Sequence, residues 1–241
     1  DYIKSNKFAR YINNLKFLQR SVYQGTSGIG VLSKNVDTYI NIYNSHYFYK
    51  KSNIGTQKII LSDGISDKIL KINLIKNSSE IIKLSDHFKS EKNLKLISCR
   101  IYNLDHPYYV PYFYSAVLCN QTNNSSVLHS SSFGNSIVKE NVKFDTERLL
   151  FKDTLLNIDL LLLTLYKYKK TETNNIKVFL KKTNDEIACT FDVNFKGELC
   201  RIILKDYLKN LDPNIPYKIS LSGPVTCNPY LFVGSQTLFH I

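Results

Sequence analysis

The sequence predicts an all-β chain: two tandem β-sandwich domains with a short N-terminal helix. Three observations predict it. Nearly everything after Gly25 reads as short runs rich in Ile, Leu, Val, Tyr and Phe. Several runs alternate, with Ile40 and Ile42 set against Tyr39 and Asn41, and Leu70, Ile72 and Leu74 set against Lys71 and Asn73. That period of two is the signature of a half-buried strand. The connections carry Asn, Asp, Gly, Ser and Pro, as turns between short strands do, and many such strands argue for sandwiches. The length, 241 residues, suits two units of about 120 residues each.

Phe8, Ile12, Leu15, Leu18 and Val22 recur in steps of three and four, which predicts an amphipathic helix from Asn6 to Val22 ending at Gly25. Gly25-Thr26-Ser27-Gly28-Ile29-Gly30 is the one Gly-rich stretch. It precedes strand-like Val31-Leu32 and no helix, so it is no phosphate cradle and reads as a turn or bulge. The predicted strands of the first half are Thr38–Tyr43, Tyr47–Lys50, Lys58–Ser62, Lys68–Ile75, Ile81–Leu84, Leu94–Tyr102, Tyr108–Cys119 and Ser136–Phe144. Between the last two, the polar stretch Asn120–Asn135 reads as a long loop. The predicted strands of the second half are Leu155–Tyr168, Ile176–Lys181, Ile187–Phe195, Glu198–Leu204, Tyr217–Leu221 and Tyr230–Phe239. The domain boundary is placed after residue 146, giving 1–146 and 147–241.

Net charge is +12, but the cations are almost all Lys, with Arg only at 10, 20, 100, 148 and 201. Arg is the residue suited to bidentate phosphate contact, so the charge argues against nucleic acid and for scattered solvated faces. Asn, Ile, Lys and Tyr are abundant, a skew matching AT-rich codons. The alternative the charge leaves open is a basic nucleic-acid-binding protein of an AT-rich virus or microbe. The apolar run around Leu160 to Leu165 is far shorter than the ~20 residues that span a bilayer.

The cysteines are Cys99, Cys119, Cys189, Cys200 and Cys227. An odd count in a secreted chain leaves one free or intermolecular thiol, and in a reducing compartment all five are core thiols. Lys196-Gly197 suits the centre of a two-residue hairpin. That register would pair Val193 with Cys200, Phe191 with Ile202 and Cys189 with Leu204. All six would share one apolar face, and Cys189 would lie roughly 13 Å from Cys200 along the strand. A disulfide needs Cα atoms within ~7 Å, so one of the two can join Cys227 and the other stays unpaired. In the first half only Cys99 with Cys119 can bridge. Asn77, Asn120, Asn123 and Asn124 stand in Asn-x-Ser/Thr sequons, candidate glycosylation sites in a number that chance alone accounts for.

His46, His87, His106, His129 and His240 stand in no metal-ligand spacing, and there is no nucleophile elbow, P-loop or His-Glu-x-x-His. No catalytic residue, metal site, cofactor or small-molecule substrate is expected. The densest aromatic feature runs from His106 to Ser115. Its Tyr108, Tyr109, Tyr112, Phe113 and Tyr114 cannot all point inward from one strand. They are the candidate partner-binding residues, because Tyr joins a rigid apolar body to a polar tip. The competing reading is an edge strand packed against the neighbouring domain.

These features (an AT-biased chain, two strand-rich halves, few cysteines with Cys227 near the end) resemble the six-cysteine (s48/45-like) surface-protein family of malaria parasites in a degenerate form. Two cysteines stand in the first half and three in the second, and the family's closing Cys-x-Cys is absent. The resemblance implies tandem sandwiches, secreted and held at a parasite surface, non-enzymatic, acting in adhesion, host-cell invasion or scaffolding. It also implies a membrane-anchored protein partner, to which an unpaired cysteine can provide a disulfide link.

Overall fold

The computed structural model describes residues 25–43, 54–75, 78–104, 113–119, 124–129, 131–133, 142–146, 148–163, 173–224, 229–234 and 237–240. These form antiparallel sheets with almost no helix, a sandwich-like all-β protein. The predicted helix from Asn6 to Val22 and the predicted strand Tyr47–Lys50 lie outside the described residues.

The first strands are β1 (Gly25–Leu32), β2 (Val36–Tyr43), β3 (Ile54–Ser62), β4 (Asp67–Ile75), β5 (Ser79–Lys83), β6 (Lys95–Asn103), β7 (Phe113–Cys119), β8 (Asn124–His129) and β9 (Ser131–Phe133). They make a five-stranded sheet in the order β4-β3-β6-β1-β9 and a four-stranded sheet in the order β5-β2-β7-β8. Alternation decides which side chains meet. Ile40 and Ile42 of β2, Ile59 and Leu61 of β3, and Ile97, Cys99 and Ile101 of β6 pack into one buried cluster. Thr38 ties the two sheets: its hydroxyl accepts from the Val31 amide at 2.9 Å and donates to the Val31 carbonyl at 2.8 Å.

The later elements are β10 (Val142–Asp145), the one-turn helix α1 (Lys152–Leu155), β11 (Ile158–Leu163), β12 (Thr173–Lys181), β13 (Ile187–Lys196), β14 (Leu199–Ile203), β15 (Lys218–Gly223), β16 (Tyr230–Val233) and β17 (Thr237–His240). They form the sheets β10-β15-β12-β13 and β14-β11-β16-β17. A second cluster joins Leu160 and Leu162 of β11 to Ile176, Val178 and Leu180 of β12, with Ile202 of β14 and Ile219 and Leu221 of β15. A third cluster crosses the halves. It joins Ile29 and Val31 of β1 and Val117 of β7 to Leu161 and Leu163 of β11 and Phe232 of β16. So β11 is buried on both faces.

Several expectations are corrected. Gly25–Gly30 is not a turn or bulge but, together with strand-like Val31-Leu32, forms an interior strand between β6 and β9. Gly30 serves close packing: a Cβ there would sit 2.5 Å from Leu84 Cδ1, so the buried Leu84 side chain would have to shift to admit one. The stretch Asn120–Asn135 is not all loop, since it supplies β8 and β9. Its Ser- and Asn-rich composition hid strands whose apolar content is little more than Val127 and Leu128. The predicted strand Leu155–Tyr168 begins as helix α1 and becomes strand only at Ile158. The predicted strand Tyr230–Phe239 is a hairpin, β16 and β17, paired Tyr230 to His240.

The Lys196-Gly197 hairpin does not form. Instead β13 pairs with β12, and β14 pairs with β11 in another sheet. Gly197 has φ 87°, and there the chain crosses between sheets. The apolar face was read correctly, because Cys189, Phe191 and Val193 do pack against the cluster holding Cys200, Ile202 and Leu204. The two sets belong to different sheets instead of lying side by side in one ladder.

Candidate interaction face

The sheet β5-β2-β7-β8 turns one face to the buried cluster and the other outward. Register fixes the outward rows. Ile81, Asn41, Tyr114 and His129 stand in one row. The next row is Lys83, Tyr39, Ala116 and Val127, and the third holds Asp37, Leu118 and Ser125. Tyr43 extends the face beyond the first row. Apolar side chains lie open here: Ile81 is 61% exposed, Val127 64%, Tyr43 43% and Leu118 36%.

The few charges on the face are partnered. The Lys83 ammonium lies 5.6 Å from the Tyr39 ring centroid and 4.0 Å from Asp37 Oδ2. Its hydrogen bond to Tyr39 holds its proton more tightly than in a free lysine. In the first row, Asn41 Oδ1 is shut off from solvent and meets no hydrogen-bond donor among the described residues. A sealed acceptor among apolar neighbours is costly unless something donates to it.

The contrast is the outer face of β10-β15-β12-β13. Its rows read Lys143, Ser222, Lys177, Asp192 and Asp145, Ser220, Phe179, Thr190. That is the composition of a face meant for water.

Of the aromatic run, Tyr108, Tyr109 and Tyr112 lie outside the described residues. Phe113 and Tyr114 open β7, where Phe113 pairs with Ile42 and Tyr114 with Asn41. Because β7 lies between β2 and β8, it is an interior strand and not the edge strand of the competing reading. Sequence reasoning missed Ile81, Leu118 and Val127. The signal was present in the pairs Ile81-Ile82, Val117-Leu118 and Val127-Leu128. Two adjacent apolar residues on a strand must point to opposite faces, so each pair puts one outside.

The cysteines are dispersed. Cys99 lies in β6 and Cys119 in β7, strands of different sheets, and both are buried. Cys99, Cys189 and Cys200 carry free thiols, and Cys227 lies outside the described residues. Burial pushes the Cys99 thiol far up and that of Cys200 up to about 12. Half-buried Cys189 edges a recess of about 320 Å³ with Asp206, Lys209 and Asn210, and its Sγ lies 3.6 Å from the Tyr207 carbonyl. Desolvation raises its pKa as well. In the native protein, Cys189 is therefore expected to be alkylated before Cys99 and Cys200, with a pH midpoint above that of a free cysteine. Mass mapping after a timed iodoacetamide pulse reads this out, and equal labelling of Cys99 and Cys189 would refute it.

Of the sequon residues, Asn77, Asn120 and Asn123 lie outside the described residues, while Asn124 is exposed at the start of β8. Among the described residues, no three His, Cys, Asp or Glu side chains gather to hold a metal ion, and no helix is long and apolar enough to cross a membrane.

Fold and face together define a sandwich-like all-β protein with one apolar outer sheet face. The chain matches no family model, no curated protein and no solved structure.

Proposed function

We propose that this chain is a non-enzymatic adhesion or scaffold module that binds a membrane-held protein through the outer face of β5-β2-β7-β8. In this reading it is secreted and peripherally attached at a cell surface, as the six-cysteine resemblance implies. It is built as two tandem sandwiches. Because β10 pairs with β15, the division between them falls between β9 and β10, ahead of residue 146.

The carrying observation is the exposure of Ile81, Val127, Leu118 and Tyr43 on one face of a single sheet. Contiguous apolar surface on one sheet of a sandwich marks an interface. A protein partner fits better than a small ligand, because the face is open and not concave. Of the described cysteines with free thiols, Cys189 is the least buried, which favours it over Cys99 and Cys200 for a disulfide link to a partner.

The test is affinity capture from detergent-extracted surface membranes, with wild type against Ile81→Asp and Val127→Asp. Both side chains are more than half exposed, so circular dichroism should be unchanged. Placing a charge on either flank of the apolar face should weaken capture by about tenfold or more. One membrane protein kept by wild type and lost by both variants is the expected result. Identical captures from all three would overturn the proposal.

A further inference from the structure

We propose that β13 pairs with β13 of a second copy of this chain, antiparallel, in a register centred on Asn194. This surface is separate from the face proposed above.

Among the described residues the strand ends its sheet, with β12 on one side only. Its inward residues Phe191, Val193 and Phe195 pack on the core yet stay half-buried. On the neighbouring strand, Ile176, Val178 and Leu180 of the same cluster are 0% exposed. The cover is complete over β12 and stops short at β13, as if one more strand were missing. A long open edge of this kind is a template for strand pairing.

Only part of that edge is open among the described residues. The segment Asp206–Leu211 lies beside Ala188 and Cys189, which leaves Asp192–Lys196. On its outer face Asp192, Asn194 and Lys196 are exposed. Lys177 stands opposite Asp192 in register, but neither Asp192 nor Lys196 makes an ion pair among the described residues.

Charge then selects the occupant and the register. A two-fold axis through Asn194, perpendicular to the sheet, sets Asp192 against Lys196 of the second copy, twice. It sets Val193 against Phe195, twice, on the inner face. Opposite charges and aromatic–β-branched pairs are the cross-strand neighbours that stabilise a ladder. Centring on Asp192 or on Lys196 would oppose like charges. Centring on Val193 would pair Asp192 with Asn194 and waste both charges. A single strand complementary to itself in this way is the signature of an isologous contact, which would join two four-stranded sheets into one of eight.

Sedimentation equilibrium under reductant, which removes disulfide-linked species, tests this over a range of concentrations. Wild type should dimerise reversibly. Asp192→Lys and Lys196→Asp should each weaken the dimer by about tenfold or more, since each replaces two attractive pairs by two repulsive ones. The double variant Asp192→Lys/Lys196→Asp should recover it. A chain that stays monomeric overturns the proposal. So does a dimer indifferent to the single variants, or one the double variant fails to restore.

Discussion

Leu161→Asp should unfold the whole chain, not just its second half. Leu161 is fully buried and belongs to the cluster that also holds Ile29 and Val31 of β1 and Val117 of β7. A carboxylate placed there stands across from Arg201 of β14, whose guanidinium is already engaged by Asp159, and otherwise faces the cluster's apolar walls. The cost is on the order of 5 kcal/mol, comparable with the total stability of a domain. Leu161→Ala should cost about 3 kcal/mol through lost contacts and a residual cavity. Leu161→Met, which conserves volume, should cost under about 1.5 kcal/mol. Urea titration monitored by far-ultraviolet circular dichroism gives the order Met, Ala, Asp. Proteolysis of Leu161→Asp adds the discriminating observation. If the strands before β10 stayed protected while those after it were cut, the shared cluster would not couple the halves.

The strand carrying Leu161 shows what was readable from the sequence and what was not. Ile158–Leu163 is a nearly unbroken apolar run. Such a run means a strand buried on both faces, although nothing in it says what covers the second face. Strands with one wet face, such as β2 and β4, announced themselves by alternation. β1 did not, because beside Ile29, Val31 and Leu32 its buried positions are glycine, serine and threonine, residues that score as turn. The sheet partner of β14 was illegible for a further reason. Lys196-Gly197 satisfies the local rule for a hairpin, and a left-handed glycine serves equally to carry the chain from one sheet to another. Local geometry is the same until β11 claims β14. The apolar outer face was not legible strand by strand: Ile81 and Val127 emerge only when register places them on one face of the sheet.

That crossing places Glu198 where a second large effect is expected. Directly after Gly197, Glu198 Oε1 accepts a hydrogen bond from the Ser98 hydroxyl at 2.6 Å, and its Oε2 lies 3.6 Å from Arg100 Nη2. Ser98 and Arg100 project from the face of β6 opposite to Ile97 and Cys99. The Arg100 side chain is 11% exposed and that of Glu198 20%, and Arg100 Nε has no acceptor among the described residues. The guanidinium therefore relies on one carboxylate, supplied from the other half of the chain. Glu198→Ala should cost about 3 kcal/mol, most of it the penalty of leaving a buried cation alone. Glu198→Gln keeps an acceptor for Ser98 and should cost less. Arg100→Met removes the stranded charge, so Glu198→Ala should cost much less in that background, with a coupling of about 2 kcal/mol in the double-mutant cycle. Raising salt should leave the effect nearly intact, because the pair is shielded from solvent. The exposed pair Lys182–Glu186, at 2.8 Å, is the control: breaking it should not measurably move the urea midpoint. If Glu198→Ala behaved like that control, the carboxylate would be solvating itself at a surface and not fastening β6 to the crossing.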